Sequence, residues 1–246
     1  MDLLICHLTR MTRPLICTAG INLATGRHVR PLPRSGRLNY DHLHSRGGVL
    51  RLGRVVRFES ASPCGRRPEV EDTKVTFRTA GVVRDVPGAE FWERVTAKSS
   101  PGKDGLRGVF GPELLRCGAT YASEESTGAA SLGLVRLPAD GVNLTVRERS
   151  QYTKGPQVRV NIAPDVLDAP AHGSSDLPAT DIRFYGPDHT TVDSQAAWDV
   201  SILIRNSASV VLALGLSRPF AKQEGRRMHW LQVNGVFPEI DPLWGV

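Results

Sequence analysis

The longest apolar run in the chain, Val210 to Leu216, suffices for one β-strand. A membrane helix needs roughly 18 consecutive apolar residues, so no span is expected. The other apolar runs are also short and are separated by turns that contain glycine or proline, of which the chain has 24 and 17. Proline fixes φ and removes a backbone donor, while glycine supplies turn conformations, so this punctuation favours short strands over long helices. Leu3 to Cys6 and Leu15 to Ile21 read as the first two strands, and Ala24-Thr25-Gly26 as the turn that follows. His28 to Pro31 begins a third extended piece, because Pro31 and Pro33 hold the residues before them extended. Arg54 to Phe58 and Val70 to Phe77 continue the pattern with half-buried alternation.

Residues 88–97, following Pro87 and carrying Phe91, Trp92 and Val95, predict a short helix. SSPGKDGLRGVFGPELL is a Gly-rich connection with one helical turn at Pro112 to Leu115, and Ala122 to Ala130 reads as an exposed loop. Strands are expected at Ser131 to Leu137, Val142 to Arg147 and Gln157 to Ile162, with Asp140-Gly141 as a hairpin signal. A loop from Ala163 to Ala179 and a short strand from Ile182 to Tyr185 follow. Asp193 or Ser194 caps a helix running to Arg205, with Trp198, Ile202 and Leu203 facing inward. Ser209 to Leu216 and Met228 to Val236 are the last strands. The expectation is a mainly β fold with a minor α component. It comprises two OB-like β-barrels of about five strands, over 1–120 and 121–246, with one or two short helices.

Charge is unevenly divided. Residues 1–60 hold ten arginines against Asp2, Asp41 and Glu59, a net of +7. The remaining residues hold 21 basic and 22 acidic groups, so the chain's excess of +6 originates in its first quarter. Such a segment attracts polyanions. The N-terminus carries an acid where a signal peptide needs a base, which predicts a cytoplasmic protein. Cys6 and Cys17 lie in apolar runs and read as small buried hydrophobes, and no disulfide is expected.

RPLICTAGINLATGRHVRPLP, then LGRVVRF with RPEVEDTKV, resembles the opening blocks of the bacterial dual OB-domain family. FWERV, GVFGPELL, SLGLVRL, VLALGLSRPF and HWLQVNGVF resemble later blocks in the same order. The likeness covers most of the chain and rests on that order. It implies two OB barrels, nucleic-acid or nucleotide binding, and an accessory or sensor role in prokaryotic defence. The family pattern sets a Trp where this chain has His28, a smaller and less apolar platform.

An OB barrel binds single strands with a basic groove and aromatic platforms. The candidate nucleic-acid-binding residues are Arg13, Arg27, His28 and Arg30, together with Arg34, Arg37, Arg46 and Arg51. Arginine offers a planar fork of donors that suits phosphate and stacks on bases. His42 and His44 would share a face on a strand, but neither the His nor the Cys spacing makes a metal site, and no cofactor is expected. Glu69, Glu71 and Asp72 form the best acidic cluster. They either pair with Arg66, Arg67 or other arginines, or hold Mg²⁺ for phosphodiester cleavage. No nucleotide-binding or hydrolase motif is present, and no catalytic residue is assigned. Trp198, Phe220, Trp230, Phe237 and Trp244 are spaced like core residues, so the second barrel is expected to brace the first or meet a protein partner. A non-catalytic binder of nucleic acid or nucleotide, single strands favoured, leads. A protein adaptor and a metal-dependent nuclease are the alternatives.

Overall fold

The computed structural model describes residues 1–102, 105–147, 155–164, 166–167, 173–221 and 225–246. The fold is mainly β, built on two curled half-barrel sheets with three α-helices among the described residues. The first sheet uses β1 (Asp2–Arg10), β2 (Ile16–Asn22), β3 (His28–Pro33), β4 (Arg54–Arg57), β5 (Ala61–Pro63), β6 (Asp72–Val75) and β7 (Gly81–Asp85). Their order is β5-β6-β3-β2-β1-β4-β7. All neighbours are antiparallel except β3 and β6, which run parallel. β1 is buried on both faces from Leu3 to Thr9, which accounts for its nearly unbroken apolar sequence. One extra residue, Cys6, interrupts its register with β2, because Ile5 pairs with Gly20 and His7 with Ala19. This is a β-bulge.

The second sheet contains β8 (Ser100–Pro101), β9 (Leu115–Cys117), β10 (Thr120–Glu124), β11 (Leu132–Pro138), β15 (Ser209–Leu216) and β16 (Met228–Pro238). They lie in the order β8-β11-β15-β16-β10-β9. A three-stranded sheet of β12 (Val142–Arg147), β13 (Gln157–Ile162) and β14 (Ser175–Pro178) completes this half. Strands β8, β9 and β10, from the stretch before β11, thus belong to the second sheet.

β15 joins the two hydrophobic cores. Val210, Leu212, Leu214 and Leu216 enter one core, while Val211 and Ala213 enter the other, beside Leu3, Leu4 and Ile5 of β1. Alternation of side chains along a strand makes this division possible. Helix α1 (Gly88–Ala97) buries Phe91 and Val95, one turn apart, and sets Phe91 edge-on to Phe237 of β16 at 4.9 Å between ring centroids. Helix α2 (Gly105–Phe110) buries Leu106 and Phe110.

Several local expectations are corrected. The helical turn lies at Gly105–Phe110, while Leu115 begins β9. Lys103 and Asp104 of the Gly-rich connection lie outside the described residues. Ala122 and Ser123 are buried in β10 instead of lying in an exposed loop, because β16 pairs with them. Asp140-Gly141 closes no hairpin: β11 pairs with β15, and β12 pairs with β13. The expected loop over 163–179 contains β14, and its residues 165 and 168–172 lie outside the described residues. Ile182–Phe184 is a 3-10 turn rather than a strand.

Helix α3 (Ser194–Arg205) begins at Asp193, whose carboxylate accepts the Ala196 N–H at 2.9 Å. Its buried face is Ala197, Val200 and Ile204. Trp198 and Ile202, expected inside, are 57% and 37% exposed because they lie on the opposite side of that stripe. Phe220 is also exposed and Trp230 partly so, whereas Phe237 and Trp244 are core residues as expected. None of the described helices is long and apolar enough to cross a membrane.

Candidate ligand-binding cleft

Strands β1, β2 and β3 of the first sheet face the end of β15 and the middle of β16 across a cavity of about 740 Å³. This falls within the range of small-molecule sites, roughly 300–1,000 Å³. One wall carries Arg10, Arg30, Arg37 and Lys74, and the other contributes Arg218 and Phe220. Among the described lining residues there is no carboxylate. Arg30 and Arg218 arrive by the same local device, since Arg30-Pro31 lies in β3 and Arg218-Pro219 follows β15.

The cations differ in how firmly they are held. Arg30 is buried, and its Nε donates to Asp72, while its Nη2 is buried without a hydrogen-bond partner among the described residues. The other Asp72 oxygen accepts Nη2 of Arg218 at 2.8 Å, and Glu69 accepts Nη1 of Arg218 at 2.9 Å. Asp72 therefore joins the two halves behind the cleft. Lys74 donates to the Pro33 carbonyl at 3.3 Å. Arg10 packs over the Tyr185 ring at 3.7 Å and donates to the Thr190 carbonyl at 3.4 Å. Arg37 is exposed and has no ion-pair or hydrogen-bond partner among the described residues.

Glu71 faces away from this task. It is buried and accepts the Ser131 N–H at 2.9 Å, the Ser131 hydroxyl at 2.8 Å and the Leu132 N–H at 3.2 Å. Burial raises its pKa above the ordinary glutamate value despite these donors. The acidic cluster is thus bound up in structure. Its partners are Arg30, Arg218 and the start of β11, while Arg66 and Arg67 are exposed.

The eight basic-segment candidates separate into groups. Arg30 and Arg37 line the cleft. Arg13 and Arg34 are exposed on loops whose neighbours Thr12 and Pro33 line it. Arg27 is exposed at the β2–β3 turn. Arg46 donates to the Pro187 carbonyl at 3.5 Å, and Arg51 pairs with Asp85 at 3.4 Å beside a separate cavity of about 290 Å³. His42 and His44 lie in successive 3-10 turns, not on a strand.

His28 is half-buried and packs edge-on to His7, with ring centroids 5.6 Å apart. Burial lowers the pKa of His28 to about 4, and burial with positive neighbours holds His7 well below the ordinary imidazole range. Four lining residues, Arg10, Lys74, Arg218 and Phe220, are not singled out by the sequence as ligand contacts. The Arg-Pro dipeptide shared with Arg30-Pro31 is the one signal for Arg218, and the spacing of Phe220 mimics that of a core residue. No known protein family, curated protein or solved structure matches the chain.

Proposed function

We propose that the protein binds a nucleotide or a single-stranded nucleic acid in this cleft, without catalysing a reaction on it. The observation that carries the reading is the convergence of five cations and one exposed aromatic ring on a cavity with no carboxylate among its described lining residues. Arg37 and Lys74 are available to phosphate, and the Phe220 ring offers a face to a base. Arg30 and Arg218 present donors fixed from behind by Asp72, so little ordering is needed when an anion arrives. The resemblance to dual OB-domain proteins points to the same ligand class and remains part of the proposal, as does a role in prokaryotic defence.

Arg37 and Lys74 are the clean probes, because neither takes part in an ion pair among the described residues. The double variant Arg37→Ala/Lys74→Ala should bind labelled single-stranded DNA or RNA about tenfold or more weakly. Its salt slope should flatten by about 0.7 per lost phosphate contact. Phe220→Ala should lower affinity by about 1–3 kcal/mol with the salt slope unchanged. Anisotropy titrations against single strands, duplexes and mononucleotides separate the ligand classes. If the double variant matches the parent with every ligand, the cleft reading is wrong. A second reading, a protein adaptor, is favoured by Trp198 and Ile202, which are exposed on α3 of the second half. Trp198→Ala should leave nucleotide binding untouched.

A further inference from the structure

The bulge in β1 has a chemical consequence. Strand neighbours ordinarily project to opposite faces, but the extra residue at Cys6 breaks that alternation. Cys6, His7 and His28, the last from the first position of β3, consequently bring one ligand atom each to within 4.8 Å of one another. Cys6 is fully buried and His7 is 1% exposed. In both imidazoles Nε2 is buried without a hydrogen-bond partner among the described residues, an expensive arrangement for a polar atom unless something occupies the space between them. Nδ2 of Asn234 lies 3.4 Å from Nδ1 of His7, while its amide oxygen accepts from the Thr180 hydroxyl and the Gln232 amide.

We propose that Cys6, His7 and His28 form a binding site for one soft d¹⁰ cation, Cu⁺ or Zn²⁺. One thiolate and two neutral imidazoles are the donor set such ions favour. Metal–ligand bonds of about 2.0–2.3 Å place tetrahedral or trigonal ligands roughly 3.3–3.7 Å apart, so closure requires each side chain to move by about 1 Å. On binding, the Cys6 thiol releases its proton to solvent and the sulfur forms the metal bond. Cu⁺ then gives a neutral complex and Zn²⁺ a complex of charge +1. The surroundings include Leu4, Ile5 and Leu8, with Arg30 near His7 and Lys98 near His28. An apolar, already positive environment favours the neutral complex, so Cu⁺ should bind more tightly. His7 also lines the cleft, which provides a route from solvent.

The test uses the full chain, stripped by chelator under reducing conditions, then given Cu⁺ against a chromogenic competitor, Zn²⁺ or Co²⁺. One metal per chain should survive gel filtration, and the Co²⁺ form should show thiolate-to-cobalt charge transfer. The variant with Cys17, Cys64 and Cys117 all changed to Ser should retain both properties. Cys6→Ser should lose the charge-transfer band. His28→Gln, at the half-buried position, should weaken binding by about 100-fold while its circular dichroism stays that of the parent. Arg37→Ala/Lys74→Ala should keep the metal, so failure of nucleotide binding leaves this test intact. Absence of a stoichiometric metal in the parent, or retention of full affinity by His28→Gln, would overturn the proposal.

Discussion

Asp181 accepts hydrogen bonds from the backbone and guanidinium of Arg183 and from the Val236 N–H, and both charged side chains are almost fully buried. Arg183 also lies over the Trp244 ring at 3.9 Å. Removing one member of such a pair leaves the other charge uncompensated, so Asp181→Ala should cost about 3–5 kcal/mol in urea denaturation. Glu71 gives a pH test. Because its folded pKa is raised, the native state holds more protons than the unfolded chain from about pH 4.5 up to that folded pKa. Its contribution to stability is present below 4.5 and is lost as pH rises through the folded pKa. Glu71→Gln should remove this slope, so its cost relative to the parent should shrink from pH 4 to pH 8 in paired denaturation series. A constant difference would refute the shifted titration. At this scale the sequence is only partly legible. The density of arginine is plain, but the fate of each is not, since Arg30 finds Asp72 and Arg218 finds that same carboxylate across large separations along the chain.

The elements most legible in the sequence are those with local causes. Pro87 opens α1 and Asp193 caps α3, and both helices have the expected bounds. The faces of α3 are not legible in this way, because aromatic size is a poor sign of burial: small Ala197 sits in the core and Trp198 does not. Strands β10 and β14 escape for the opposite reason: their polar sequences carry no apolar pattern, and β10 is fixed by pairing with the distant β16 and β14 by pairing with the preceding β13. The close approach of β1 and β2 offers a direct test. A Cβ added at Gly20 would lie 2.2 Å from the Leu4 carbonyl oxygen, a backbone atom that cannot swing aside. Gly20→Ala should therefore destabilise the protein by about 1–3 kcal/mol, read from the shift in urea midpoint. It should also disturb the adjacent bulge, visible as a changed environment of His7 in NMR.

The two halves share an interior. Leu134, Val211, Ala213 and Phe237 of the second half belong to the core that surrounds β1, and Asp72 and Glu71 tie the first half to Arg218 and Ser131. A chain built this way should unfold in one transition, with tryptophan fluorescence and far-ultraviolet circular dichroism coincident. A fragment of residues 1–99 should fail to give dispersed NMR signals, because it lacks the partners of β1. Two separated transitions, or a well-folded fragment, would contradict a common core. The cleft lies along this seam and takes a wall from each side. An occupant would act as a removable strut whose contribution follows mass action, adding about 2.7 kcal/mol when its concentration is a hundred times its dissociation constant. Heat resistance then becomes a reporter of occupancy, and a melting screen across nucleotides, oligonucleotides and simple anions can pick out the molecule that fills the seam.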